Sequence, residues 1–237
     1  MRAVLLAAGF GSRLRPLTTV TPKCLVPING KPLLDYWLDM LVASEEIDEI
    51  YVNLHYKPTM VKEHLRQNWS QHRNIHTWYE PELSGTAGTL ADNYEQIKGQ
   101  DCLVIHADNL SVFPLHDFLA QHSSKTAITM MLFHTDQPSQ CGIVELDEQN
   151  RVLNMHEKVA KPPGNLANGA VYVFSPEVLD FIHQQQVTDI SEDVIPHFHG
   201  NIVGWLNQQY HRDIGNPKSY QQANEDVLNR PDLFNCH

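Results

Sequence analysis

The sequence of 237 residues predicts an α/β fold, a mainly parallel mixed sheet flanked by helices that becomes mixed or antiparallel in its second half. Strand-like and helix-like segments alternate as far as Phe133. The unbroken apolar run Ala3–Ala7 suits a central strand covered on both faces. Beyond Phe133, strands follow one another with little helix between them.

Ala3–Ala7 is thus the first strand. Pro32 suits the first turn of a helix that carries Leu33, Leu34, Trp37, Leu38 and Leu41 on one stripe. Ile47–Leu54 reads as the next strand, Thr59–Trp69 as a helix and Ile75–Tyr79 as a strand. Thr89–Ile97 is helical in pattern, Cys102–His106 is a third buried strand, Leu115–His122 a helix and Ala127–Phe133 a strand. Gly142–Leu146, Arg151–His156 and Gly169–Phe174 are the later strands. Ser175-Pro176-Glu177 offers an N-cap, a first helical residue and a first-turn acid to a helix over Val178–His183. Asn216-Pro217 does the same for a last helix ending near Leu228. The turn-rich stretch Thr135–Gln140 separates two halves, about 1–135 and 140–237, of a single domain.

The composition, 42% hydrophobic and 19% charged, belongs to a globular chain with a substantial core. Its 17 Lys and Arg against 28 Asp and Glu give a net charge of −11, which argues against nucleic acid or an anionic membrane as the main partner. The charge is uneven, however. Arg2, Arg13, Arg15, Lys23 and Lys31 precede the first acid, Asp35, so the opening segment is cationic and suits a small anionic ligand. Cys24, Cys102, Cys141 and Cys236 lie far apart, which disfavours a disulfide framework or zinc ribbon and fits a reducing cytoplasm. The apolar start stops at Gly9, too short for a signal peptide, and no run reaches the ~18 residues of a membrane span.

Leu6-Ala7-Ala8-Gly9-Phe-Gly11-Ser12-Arg13, followed by Pro22-Lys23, carries the strongest chemical signal. A strand ending in Gly-x-Gly lets backbone N–H groups approach a phosphate with no Cβ in the way. The guanidinium of Arg13 suits bidentate phosphate binding, and Lys23 is a compact positive charge. Leu14 stands where a dinucleotide fingerprint needs its third glycine, and Leu25 where a Walker A loop ending at Gly30-Lys31 needs one. His72 with His76, and His197 with His199, lack a suitably placed third zinc ligand. No Gly-x-Ser-x-Gly elbow marks a serine nucleophile.

These motifs resemble the signature of the sugar-phosphate nucleotidyltransferases, or nucleotide-sugar pyrophosphorylases, and the resemblance extends along the chain. Glu82-Leu-Ser-Gly85-Thr86-Ala-Gly88 resembles the family's base-binding loop, and Val104-Ile-His-Ala-Asp108-Asn109 its first metal-carboxylate motif. Cys141-Gly142-Ile-Val-Glu145, His156-Glu157-Lys158 and Asn165-Leu-Ala-Asn168-Gly169 resemble its sugar-phosphate segments, and His211-Arg-Asp213-Ile-Gly215-Asn-Pro its second metal site. The chain is most similar to short members described as mannose-1-phosphate or heptose-1-phosphate guanylyltransferase-like. Ala107 stands where relatives commonly have Gly, Cys24 where Pro is usual, and Ala8 where many guanylyl- and thymidylyl-transferring relatives have Gly. The identity of the base therefore stays open.

The resemblance implies a Rossmann-like fold and an enzyme that joins a nucleoside triphosphate to a sugar 1-phosphate, giving an NDP-sugar and pyrophosphate. It assigns nucleotide contacts to Leu6, Ala7, Ala8, Gly9, Gly11, Ser12, Arg13, Lys23, Glu82, Gly85, Thr86 and Asp108. Sugar-phosphate contacts fall to Asn109, Gly142, Glu157, Lys158 and Asn168 in this reading. Mg²⁺ would sit on Asp108 and Asp213, and Arg13, Lys23, Asp108, Lys158 and Asp213 would be the catalytic set. The halves become a nucleotide half and a sugar-phosphate half. The partners are the two small substrates, without nucleic acid or membrane, and a homo-oligomer stays open. Other readings are uridylyl or cytidylyl transfer to another sugar or alcohol phosphate, and a non-catalytic NDP-sugar-binding regulatory paralogue. Retention of Lys23, Asp108 and Asp213 disfavours the last. A dinucleotide-dependent oxidoreductase is disfavoured by Leu14.

Overall fold

The computed structural model describes residues 1–234, so Cys236 lies outside the described residues. Two compact units emerge, each from separate stretches of chain. Residues 3–83, 106–113 and 209–234 form the first, and residues 1–2, 84–105 and 114–208 the second. Among the described residues, no helix is long and apolar enough to cross a membrane.

In the first unit the strands Arg2–Leu6, Glu49–Leu54 and Ile75–Tyr79 are neighbours in that order, the last two parallel with Ile50 opposite Ile75. Ala3, Val4 and Leu5 are fully buried, as a two-sided central strand requires. The helices Leu33–Val42 and Pro58–Asn68 lie between successive strands in the chain, the crossover that parallel pairing needs. Leu33, Leu34, Trp37, Leu38 and Leu41 all point inward, so the expected stripe is the buried face. Pro32 sits one residue ahead of the helix instead of inside its first turn. It pairs with Pro27 in a short hairpin and has an extended ψ of 139°. The hairpin turns at Asn29 and Gly30, with φ of 47° and 83°, the left-handed pair that tight hairpins use.

The same unit contains an antiparallel ribbon, Asn109–Val112 with Tyr210–Asp213, that sequence periodicity did not show. Leu110 and Tyr210 join a core with Leu14, Ile28, Leu33, Ile214 and Val227. Alternation puts Asn109, Ser111, His211 and Asp213 on the opposite face. The helix Pro217–Asn229 begins as expected. Asn216 Oδ1 accepts from the Ser219 N–H at 3.0 Å, and Ser219 Oγ accepts from the Asn216 N–H, a reciprocal cap.

The second unit is mixed. Leu166–Phe174 runs antiparallel to Cys102–His106 and to Ile128–His134, while Ile202–Leu206 is parallel to Ile128–His134. Gly142–Leu146 and Val152–Glu157 form an antiparallel pair. Register slips between Asn168 and Tyr172, where Ala170 takes φ 53°, so the long strand bulges there. The helix expected over Thr89–Ile97 starts earlier and stops earlier, at Thr86–Asp92. Asn93 turns its amide back onto the Thr89 carbonyl at 2.9 Å and leaves only a short 3₁₀ turn, Tyr94–Gln96. Helix Pro176–Gln185 begins where expected, though Ser175 makes no side-chain cap. His197 ends a short helix, Ile195–His197. The sheet mixes parallel and antiparallel strands and is flanked by helices, as the sequence predicts.

Candidate active site

Strand Arg2–Leu6 runs directly into the glycine loop. The N–H groups of Ala7 and Ala8 donate to Asn53 Oδ1 at 2.6 and 3.1 Å, and Asn53 Nδ2 donates to Glu80 Oε1 at 2.9 Å. Asn53 and Glu80 are buried, so a carboxamide on the neighbouring strand fixes where the loop leaves the sheet. Leu6 and Ala8 bury their side chains and Ala7 is half-buried. Gly9 is exposed, and a Cβ there would meet nothing within 4 Å. Gly11 is different. Its φ of 62° and ψ of 32° are left-handed, and a Cβ would stand 2.9 Å from Thr18 Cγ2 and 3.0 Å from Lys23 Cβ. Thr18 Oγ1 donates to the Gly11 carbonyl at 2.7 Å. Ser12 and Arg13 are exposed on a 3₁₀ turn, Ser12–Leu14, that is anchored by buried Leu14.

Below the loop lies an ionic cluster. Lys23, 6% exposed, donates from Nζ to Asp108 Oδ2 at 2.8 Å and stands 3.6 Å from Asp213 Oδ1. Both carboxylates are half-exposed. Asp108 occupies the turn between Cys102–His106 and Asn109–Val112. Asp213 ends the partner strand of the ribbon, and the Ile214 N–H donates to the Asp108 carbonyl at 3.3 Å. Ribbon pairing thus brings together two acids that are far apart in the chain. A Cβ on Gly215 would run into the Asp213 carboxylate.

The two acids respond oppositely to their surroundings. Desolvation works against the charged form of Asp108, but the charges of Lys23 and His106 outweigh it and hold the carboxyl below its ordinary range. Asp213 is raised by desolvation and by the charge of Asp108, which Lys23 and Arg13 counter only in part. Beside them, His211 Nδ1 is 2.6 Å from Ser111 Oγ, and burial pushes its imidazole down to about 3. Asn109 is buried on the same ribbon face, its carbonyl accepting from Trp37 Nε1 at 2.8 Å. Glu82 is exposed in the loop after Ile75–Tyr79.

The second unit gathers the remaining candidates in two groups. Gly142 pairs with Glu157, and a Cβ on Gly142 would stand 2.6 Å from Glu157 Oε2. Glu157 Oε1 is 2.5 Å from Lys158 Nζ, and Lys158, at φ 48°, is largely exposed. Asn168 is set by its own bulge. Its Oδ1 accepts from the Ala170 N–H at 2.9 Å, and its Nδ2 donates to Tyr172 OH at 2.7 Å. In the other group, Gly85 packs its Cα against the Thr188 carbonyl, which accepts from the Ala87 N–H at 2.9 Å. Thr86 Oγ1 accepts from the Ile190 N–H at 2.8 Å. Asn53, Glu80 and Thr188 were not singled out in the sequence. Each acts through a partner that is distant in the chain and leaves no local pattern.

Known proteins resemble this chain in sequence and in fold. The chain is 30% identical over 231 residues to the mannose-1-phosphate guanylyltransferase of Mycobacterium tuberculosis, a match that covers 95% of this chain and 64% of that protein. It is 32% identical over 228 residues to mannose-1-phosphate guanylyltransferase 1 of Arabidopsis thaliana, covering 93% and 63%. The chain therefore spans less than two thirds of the length of these relatives. HddC from Yersinia pseudotuberculosis shares the fold, with a TM-score of 0.80 at 24% identity over 95% of this chain and 99% of that one. The same protein complexed with GMP-PN gives 0.78. The family model described as nucleotidyl transferase matches residues 2–230, nearly the whole chain, and the chain belongs to that family.

Proposed function

We propose that the chain is a sugar-1-phosphate nucleotidyltransferase acting as a single catalytic domain. It joins a nucleoside triphosphate to a sugar 1-phosphate and releases pyrophosphate, with GTP and mannose 1-phosphate as the leading pair. The observation that carries this reading is the buried Lys23 ammonium between Asp108 and Asp213, beneath a glycine loop with an exposed Arg13. Family membership and the guanylyltransferase relatives support it.

Mg²⁺ fits the donor set. Two hard carboxylates already converge on one positive charge, and Mg²⁺ characteristically takes one or two carboxylates together with substrate phosphates. Asp108 and Asp213 would hold the ion, which supplies charge neutralisation to the phosphates when bound. The protein groups do the positioning. The loop from Gly9 to Arg13 offers backbone N–H groups to the triphosphate, with Gly9 leaving space for close approach. Ser12 and Arg13 hold its phosphate oxygens, Arg13 in bidentate fashion. Lys23 neutralises the α-phosphate region and the departing pyrophosphate. Glu82, Gly85 and Thr86 serve the base.

In the second unit, Lys158 holds the incoming phosphate. Glu157 accepts from sugar hydroxyls, Asn168 contributes its amide, and the missing Cβ of Gly142 makes room. Asn109 completes the sugar-phosphate contacts. A phosphate oxygen of the sugar attacks the α-phosphorus in line as the bond to pyrophosphate breaks. Catalysis consists of orientation and charge stabilisation without a covalent enzyme intermediate. This reading places the chain in the cytoplasm, with two small phosphorylated substrates as its partners. There the dispersed thiols of Cys24 and Cys102, pushed up to about 12 by burial, stay reduced.

A pyrophosphate-release screen of the four nucleoside triphosphates against a panel of sugar 1-phosphates tests it. GTP with mannose 1-phosphate should be the best pair. Release with another pair would reassign the substrates. Release with none, alongside measurable NDP-sugar binding, would overturn the enzyme reading in favour of a regulatory paralogue.

A further inference from the structure

Lys23 stands where the functional reading puts a metal ion. Its ammonium is 2.8 Å from Asp108 and 3.6 Å from Asp213, and its side chain is only 7% exposed. A buried ammonium needs compensating charge, and these carboxylates supply it. The acids themselves are half-open to solvent, so a cation from solution can reach the pair that Lys23 holds. The root of Lys23 is held close to Gly11 and Thr18 under the glycine loop, which leaves the flexible four-carbon stem to redirect the charge.

We propose that Lys23 and a divalent cation are alternative occupants of the Asp108–Asp213 pair, and that an arriving triphosphate draws the Lys23 ammonium away and releases the carboxylates to the metal. Competition between Lys23 and the cation depends only on the geometry. The role of the triphosphate rests on the function proposed above. Metal and nucleotide then bind cooperatively, each assisting the other by the same factor, and metal alone loads poorly. Lys23 thereby serves as an internal counter-ion in the empty protein and as a phosphate ligand in the loaded one.

The test is equilibrium binding of Mn²⁺ without nucleotide, read from the electron paramagnetic resonance signal of the free ion. Lys23→Met keeps the length and removes the charge, and it should bind Mn²⁺ on the order of 10- to 1,000-fold more tightly than wild type, the range over which one adjacent charge moves an ionic equilibrium. Lys23→Arg keeps the charge and should bind as weakly as wild type. Equal or weaker binding by Lys23→Met overturns the proposal.

If melting shows that Lys23→Met does not fold, the wild-type protein answers instead. In an Mg²⁺ titration followed by ¹⁵N NMR, the Lys23 ammonium signal should leave its ion-paired position as the site fills. A signal unmoved at saturation overturns the competition. Failure of the protein to bind Mn²⁺ with or without GTP removes the metal site and the proposal together. Failure of the pyrophosphate screen alone leaves the competition measurement intact.

Discussion

Gly85→Ala should be among the most damaging small substitutions in the chain, and its size follows from geometry. Gly85 has φ 85° and ψ 170°, a region open almost only to glycine, so alanine there costs about 1–3 kcal/mol of backbone strain. Its Cβ would also run into the Thr188 carbonyl oxygen and stand 3.2 Å from the Thr188 carbonyl carbon. Relief requires residue 188 to retreat, which loosens the bonds that its carbonyl accepts from the Ala87 N–H at 2.9 Å and the Gly88 N–H at 3.3 Å. Each such bond contributes about 0.5–1.5 kcal/mol net. The total destabilisation is about 2–6 kcal/mol. Two further glycines calibrate the figure. Gly99, at φ 78° with nothing within 4 Å of an added Cβ, should lose only the left-handed backbone preference, about 1–2 kcal/mol. Gly164 has open space without a left-handed φ, and alanine there should be neutral or stabilise by about 0.4–1 kcal/mol through the unfolded chain. Urea unfolding at a shared slope would rank the three, and limited proteolysis around residues 186–190 would report the loosened contact. A Gly85→Ala protein no less stable than Gly99→Ala would refute the reasoning.

Asp213→Asn should fold normally and lose at least ~100-fold in turnover, about 2.7 kcal/mol of transition-state stabilisation. A lowered melting point with near wild-type turnover would instead make the carboxylate structural. Arg13→Ala, at an exposed position, should leave the melting point unchanged and weaken triphosphate binding, so unchanged affinity by titration would refute the loop assignment. Lys158→Ala should raise KM for the sugar 1-phosphate and leave triphosphate affinity within a few-fold. Loss of triphosphate affinity would count against its place on the second substrate. His211 titrates at about 3 in the fold against an ordinary 6.5, so the unfolded chain binds the extra proton. Its contribution is fully present above pH 6.5 and is lost progressively as pH falls toward 3. Denaturant midpoints across that window should fall less steeply in His211→Gln than in wild type, and parallel curves would exclude His211 as the titrating group.

Much of the fold was legible because it is local. Ile75–Tyr79, Cys102–His106 and Gly142–Leu146 end where their apolar patterns end. Asn109–Val112 and Tyr210–Asp213 escaped notice because each is only four residues long, and Tyr210 is followed by three polar side chains that give no strand pattern. Their pairing, with Ser111 and His211 separated by 100 residues, is invisible to any window along the chain. The Asn29-Gly30 hairpin was a readable signal that the helical stripe after it obscured. In the candidate site, the sequence showed which residue types belong to phosphate chemistry, and the geometry places Lys23, Asp108 and Asp213 together. It could not show that Lys23 is buried, since a lone lysine in a polar loop reads as a surface residue. Nor could it show Asn53 bracing the loop exit, because that amide acts across strands. Gly11 and Gly85 were read as glycines that let the backbone approach a ligand, and neither their positive φ nor the neighbours, Thr18 and Thr188, that each one accommodates could be seen in the sequence.

The ribbon that carries the two acids has a consequence for biosynthesis. Its strands lie on either side of residues 114–208, which belong to the other compact unit. A chain emerging from the ribosome presents Leu110 and its apolar neighbours Ile28 and Leu33 long before Tyr210 and Ile214 exist to cover them. Residues 84–208 can meanwhile close most of the second unit. The first unit thus begins earliest and finishes last, which makes its exposed apolar face a natural substrate for chaperones during translation. A polypeptide stalled before the codon for Asp213 carries Lys23 with only one of its two counter-charges.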